Sequence, residues 1–282
     1  MGGDELRSAA RPETGKGVQY HLRVGPGDVA RYVLMPGDPE RTDLIASLWE
    51  NAKLVAHHRE YRTWTGSYRG VKVSVTSTGI GSPSTAIAVE ELLRVGADTF
   101  IRVGTMGAIQ RRLKPGTLVI GEAAVRLEGT SQQYVMEGYP AAASYDVVLA
   151  LIEAAERLGM EYEVGVVAST DSFYLGQGRP GYGGYMTPRS ASIIPELQRA
   201  GVLGFEMEAS ALFTIARIYG ARAGCVCAVV ANRVTDEFVI DAGVREAARV
   251  ASEAAAILSL WDSVREKRGK RWFYPGIAGS GT

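Results

Sequence analysis

Short runs of Val, Ile and Leu, bounded by turn residues, alternate along this chain with longer amphipathic stretches, and that alternation leaves few folds open. The runs are Tyr32–Met35, Val71–Ser77, Thr99–Val103, Thr117–Ala124, Tyr162–Ala168 and Cys225–Ala231. Most are nearly continuous in apolar residues, the pattern of strands covered on both faces. The stretches Pro39–Leu48, Ser84–Val95, Tyr145–Leu158, Met207–Tyr219 and Gly243–Val264 read as helices, and Pro83 stands at a favoured helix start. The alternation predicts an α/β fold in a single domain: a central mixed β-sheet, largely parallel, flanked by helices. Residues 1–17 are expected to form a loose arm, 18–265 the domain, and 266–282, basic and then glycine-rich, a tail that frays.

Composition narrows the function. In 282 residues, 31 Lys+Arg balance 31 Asp+Glu. A neutral chain argues against a nucleic-acid partner, which calls for a basic face. The polar N-terminus lacks the apolar core of a secretory signal, and no stretch of 18 apolar residues marks a membrane span. Cys225 and Cys227, two apart in an apolar run, read as small buried hydrophobes on one strand face, and no zinc-like spacing accompanies them. A cytoplasmic protein without a membrane or nucleic-acid partner is expected.

Candidate chemistry collects at strand ends. Met35-Pro-Gly-Asp-Pro-Glu-Arg41 joins a strand to a helix through Gly37, with Arg41 in the first helical turn. Such a junction is an anion site in many α/β proteins. Thr78-Gly-Ile-Gly-Ser-Pro-Ser84 joins another strand to another helix. In Arg102-Val-Gly-Thr-Met-Gly107, Arg102 is expected to end a strand and Thr105 to offer its hydroxyl from the turn. No segment completes a dinucleotide or Walker fingerprint. Together, Arg41 and Arg102 suggest a small dianion such as phosphate. Gly204-Phe-Glu206-Met207-Glu208 places two glutamates where a strand enters a helix, and two readings fit: charge favoured by the helix dipole, or a carboxylate accepting from paired sugar hydroxyls. The glycine-rich stretch Gly176–Pro188 reads as a linker or an active-site flap.

Taken in order, MPGDPER, HREYRTWTG, TSTGIGSPSTAIAVEEL, RVGTMGAIQ, DSFYLGQGR, FEMEAS and ANRVTDE resemble the family-I nucleoside phosphorylases, most closely their uridine-cleaving branch. The resemblance runs from about His21 to Ile257. It implies a fold of the kind already read, phosphorolysis of a nucleoside to free base and sugar 1-phosphate, and no organic cofactor, with inorganic phosphate as co-substrate. It also implies residue roles. Gly37, Arg41, Arg59, Arg102 and Thr105 would hold phosphate. His21, Glu206, Met207 and Glu208 would hold ribose, and Phe173, Gln177 and Arg179 the base, with Arg233 supporting the charge on the leaving base. Glu60, Ile80 and Ser84 match a monovalent cation site, such as one for K+.

Purine-cleaving and hydrolytic relatives commonly carry an aspartate where this chain has Asn232-Arg233, which makes purine nucleosides the second choice. The residues after Gln177-Gly-Arg179, Pro180-Gly-Tyr-Gly-Gly-Tyr-Met, depart from the family pattern, so base selectivity is the least constrained property. A nucleoside-binding protein without turnover is the reading from a different class. The resemblance further implies sites shared across a two-fold dimer, with His21 and Arg59 reaching into the neighbour, and dimers assembled as a hexamer.

Overall fold

In a computed structural model that describes residues 8–279, the expected apolar runs are strands, most of them covered on both faces. The chain begins with β1 (Tyr32–Met35), α1 (Pro39–Ala46), β2 (Glu50–His58), β3 (Tyr61–Tyr68), β4 (Val71–Thr76) and α2 (Ser82–Arg94). It continues with β5 (Thr99–Ala108), β6 (Leu118–Leu127), β7 (Ala141–Ala142), α3 (Tyr145–Leu158), β8 (Tyr162–Thr170) and α4 (Pro188–Arg199). Then come β9 (Gly204–Glu206), α5 (Ala209–Ile218), β10 (Arg222–Asn232), β11 (Glu237–Phe238), α6 (Val244–Lys267) and α7 (Pro275–Gly279).

The apolar runs are continuous because successive side chains enter different cores. Val33 and Phe100 pack with α2 and α5, whereas Leu34 and Ile101 pack with α3 and α6. On β10, Cys225 and Cys227 face the first core and Val226 and Ala228 the second. Helices thus cover both faces of one mixed sheet, the expected α/β arrangement.

The sheet's centre is β5. It runs parallel to β1 and β10, while its far end pairs antiparallel with β9. Because β10 pairs with β6, β6 with β8 and β8 with β9, these strands close a circuit around that end of β5. The candidate site lies beside this closed region. On the other flank, β4, β3 and β2 extend the sheet from β1.

Three expectations need correction. Arg102 does not end a strand, and Thr105 lies in no turn: β5 runs on to Ala108, pairing Gly104 with Cys227 and Gly107 with Phe205. Gly104 serves here for close approach, since a Cβ would stand 2.6 Å from Cys227 Sγ and 2.7 Å from Arg102 Nη2. The N-terminal arm lies partly outside the described residues, in 1–7, but its continuation is tied down. Glu13 bridges to Gln19, and Thr14 is buried. The tail packs as far as Ile277, which is fully buried, and Phe273 stacks on Trp261 at 4.0 Å between ring centroids. Among the described residues no helix is long and apolar enough to cross a membrane.

Candidate active site

A cleft of about 360 Å³ opens beside β5 and collects most of the candidate residues. Gly37, Asp38 and Arg41 come from the β1–α1 junction, Arg102 and Thr105 from β5, Glu206, Met207 and Glu208 from the β9–α5 junction, and Phe173, Gln177 and Arg179 from the segment after β8. The local geometry follows from the sequence. Asp38 caps α1 by accepting from the Glu40 N–H at 2.9 Å, with Pro39 opening the helix. A Cβ on Gly37 would lie 3.1 Å from the Gly79 carbonyl, a tight contact, so a small residue suits the close approach of the β1–α1 and β4–α2 junctions.

At one end two arginines stand together. Burial and the neighbouring Arg102 lower the pKa of Arg41, against the pull of Asp38. Burial also opposes charge on Arg102, but Glu208 and Glu206 hold it protonated, well above the ordinary arginine value. Arg102 Nη2 lies 2.5 Å from Glu208 Oε2. Its Nε stands 2.7 Å from Glu206 Oε2 without the alignment of a hydrogen bond. Two buried carboxylates therefore share one guanidinium. Burial raises the pKa of Glu208, Arg102 pulls it back, and Glu206 adds to the rise. The Gly81 N–H, at 2.6 Å, also donates to the Glu208 carboxylate, and the Met207 backbone adds a further donor.

The opposite end is built around Gln177. Its Nε2 donates to Thr170 Oγ1 at 3.2 Å, and its Oε1 accepts from Arg179 Nη1 at 2.6 Å. The same Nη1 donates to the Phe173 carbonyl at 2.7 Å, and the guanidinium lies 3.8 Å from the centroid of the Phe173 ring. Burial and the like charge of Arg233 lower the Arg179 pKa to about 10, which leaves it charged at neutral pH. Arg233 donates to the Gln177 carbonyl at 3.0 Å, and burial lowers its pKa as well. The cleft thus carries a cationic end for an anion, a carboxylate midway, and an amide–guanidinium pair at the other end.

The sequence profile of the phosphorylase superfamily matches residues 31–261. The chain belongs to the phosphorylase superfamily. It is 62% identical over 276 residues to a uridine phosphorylase of Thermococcus kodakarensis, covering 98% of this chain and 99% of the relative. It is 42% identical over 221 residues to the uridine phosphorylase of Escherichia coli K12, covering 77% and 87%. A guanosine phosphorylase of Halorubrum lacusprofundi is 43% identical over 216 residues, covering 77% and 84%.

Within this phosphorylase chain, His21, Arg59, Arg233, Glu60 and Ser84 are not among the residues that line the cleft. His21 lines a separate hollow beside α2, where its Nδ1 lies 2.7 Å from Glu91 Oε1 and its backbone N–H also donates to Glu91. Arg59 is exposed at the β2–β3 turn, with φ 57° and its guanidinium over the Tyr20 ring. Glu206, expected at ribose, lines the cleft but accepts from the N–H groups of Glu208 and Ala209 at 2.9 and 2.8 Å. Glu60, Ile80 and Ser84 gather around Gly79: a Cβ there would stand 2.8 Å from Glu60 Cγ and 3.4 Å from Ser84 Oγ, which itself donates to the Ile80 and Gly81 carbonyls.

Sequence reasoning passed over Ser169, Thr170, Asp38, Gly104 and Phe238, which also shape the site. A signal for the first two existed: adjacent hydroxyl residues close an apolar strand directly ahead of DSFYLGQGR.

Proposed function

We propose that this chain cleaves uridine with inorganic phosphate, releasing uracil and ribose 1-phosphate. The observation that carries the reading is the order of groups along the cleft: Arg41 and Arg102, then Glu208, then Gln177 with Arg179. Phosphate held by arginines sits on the sugar face opposite the base and loses its water there. Bond breaking builds positive charge on the sugar, and hydroxyls bound to the Glu208 carboxylate strengthen their hydrogen bonds as it grows. The departing base gathers negative charge on its oxygen, where Arg179 waits. A uracil edge offers an acceptor beside a donor, which a side-chain amide such as Gln177 complements. Phosphate is the co-substrate, and no organic cofactor is needed.

A purine nucleoside is the second reading, favoured by the similarity to a guanosine phosphorylase. Against it, Asn232 is already spent. Its Nδ2 donates to the Gln110 and Leu113 carbonyls, and its Oδ1 accepts from Val234 and Thr235. Incubation with uridine or guanosine, with and without phosphate, tests the choice. Phosphate-dependent uracil release supports the proposal. Release without phosphate would make the chain a hydrolase, a guanosine preference would favour the purine reading, and no release from either nucleoside would make it a binding protein.

The reading extends to assembly. A lone chain's cleft lacks both His21 and Arg59, which supports a site shared across a two-fold dimer, with dimers built into a hexamer. Glu60, the Ile80 carbonyl and Ser84 would hold a monovalent cation such as K+ at the same junction. The free thiols Cys225 and Cys227, both buried, suit a reducing cytoplasm.

One consequence concerns pH. Glu208 accepts sugar hydroxyls most strongly when ionised, and its pKa is raised chiefly by burial. Uridine affinity without phosphate is therefore expected to weaken on acidification at a pH above the ordinary glutamate range. Calorimetric titration across the acidic range checks this, and Glu208→Gln should remove the dependence.

A further inference from the structure

We propose that Ser169 is a positioning residue for the anion and sugar ends of the cleft, acting through Glu206 on Arg102 and on the start of α5. The inference rests on the phosphorolytic reading above. Ser169 lies next to the last residue of β8 and is fully buried. Its hydroxyl donates to Glu206 Oε1 and accepts the Ser210 N–H at 2.9 Å. The other oxygen of Glu206 accepts the N–H groups of Glu208 and Ala209 and faces Arg102 Nε. Three successive N–H groups at the start of α5 therefore end on one Ser–Glu pair. Glu208 is the N-cap residue of that helix, so the direction of its side chain follows from how the end is tied.

The hydroxyl decides what Glu206 does with its charge. A buried carboxylate without a donor on Oε1 would turn both oxygens onto the nearest cation, because an unsatisfied buried acceptor is costly. That cation is Arg102. Chelated in this way, Arg102 would turn from an incoming phosphate, and the Glu208 and Ala209 N–H groups would lose their acceptor. Ser169 prevents this by occupying Oε1. Behind it, Ser210 Oγ donates to Glu128 at 2.9 Å, and Glu128 also accepts the Ser131 hydroxyl and its N–H. This anchors the arrangement in the fold. The base-reading groups Phe173, Gln177 and Arg179 make no hydrogen bond to Ser169, Glu206 or Glu128; Gln177 is held by Thr170, the neighbouring residue.

Ser169→Val and Ser169→Thr test the inference in the full-length protein, since the two side chains match in size and differ in the hydroxyl. Ser169→Val is expected to raise KM for phosphate about tenfold and to lower kcat, the scale of one lost charge-assisted bond. Uracil affinity, measured by calorimetry, should stay within about twofold, and Ser169→Thr should keep phosphate KM within about twofold of the parent. Equal phosphate KM in the two variants, or a loss of uracil affinity matching the loss for phosphate, would overturn it. Should Ser169→Val not fold, Ser169→Ala carries the same comparison against the parent. A parent protein that released no base with phosphate would instead overturn the functional reading, before any variant is compared.

Discussion

Replacing Arg179 by alanine is expected to lower kcat for uridine by on the order of 10²–10³-fold and to raise its KM as well. The chemical loss follows from where the charge sits. The guanidinium is half buried and lies over the Phe173 ring, and burial together with the like charge of Arg233 lowers its pKa to about 10. A cation in that position gains most from an anion forming beside it, and the departing base supplies one. Preorganisation adds to the effect, because Nη1 is already aimed by the Phe173 carbonyl and the Gln177 amide. The KM effect comes through Gln177: without Arg179, its amide keeps the Thr170 bond but loses the partner that fixes its oxygen. Steady-state kinetics at saturating phosphate separates the two. A rise in KM with unchanged kcat would show that Arg179 only binds the base.

The fold was legible where burial leaves a clear period. Tyr32–Met35 and Tyr145–Leu158 match their elements residue for residue, the first as an apolar run packed on both faces of the sheet, the second as an amphipathic helix with one buried stripe. Sequence reasoning missed β2 and β3, whose faces are largely exposed or half-buried and which therefore carry His57, His58, Arg62 and Thr65 within strands. It also missed α4, where Pro195 interrupts the pattern and only Ser190, Ile193 and Leu197 are buried. The glycines of Arg102-Val-Gly-Thr-Met-Gly107 suggested a turn for the opposite of the real reason. They leave room beside the strand, where Arg102 folds over Gly104 and Arg179 and Arg233 lie near Gly107.

The site was legible as separate segments and illegible as a network. Gly37, Arg41 and Glu208 sit on strand–helix junctions, and Gln177 and Arg179 in the segment after β8, where turn chemistry shows in sequence; Arg102 lies inside β5 and shows only as a charge in an apolar run. That Arg102 is shared by Glu206 and Glu208, or that Ser169 closes the chain of bonds behind them, depends on pairing β5 with β9 and β9 with β8. Such pairing joins residues far apart in sequence, and no local pattern records it.

Two inactive variants are expected to make an active mixture. Under the proposed shared site, in which both guanidiniums serve one dianion, Arg59→Ala and Arg102→Ala should each lose most activity through phosphate. Within one chain, Arg102 is buried in the cleft while Arg59 is exposed on the β2–β3 turn, absent from the cleft lining and stacked on Tyr20. A physical reason favours supplying Arg59 from a neighbour. A further cation held beside Arg41 and Arg102 would be repelled until phosphate arrives, and association between chains can supply the free energy that holds it there. In a dimer of one Arg59→Ala chain and one Arg102→Ala chain, one cleft would then contain both alanines and the other both arginines. Subunit exchange in a one-to-one mixture should therefore restore a substantial fraction of parental activity, whereas either variant mixed with itself should stay inactive. Mass spectrometry of differently labelled chains verifies the exchange. Verified exchange without recovery would mean that each chain supplies its own Arg59, and the loop would then have to fold back into its own cleft when phosphate binds.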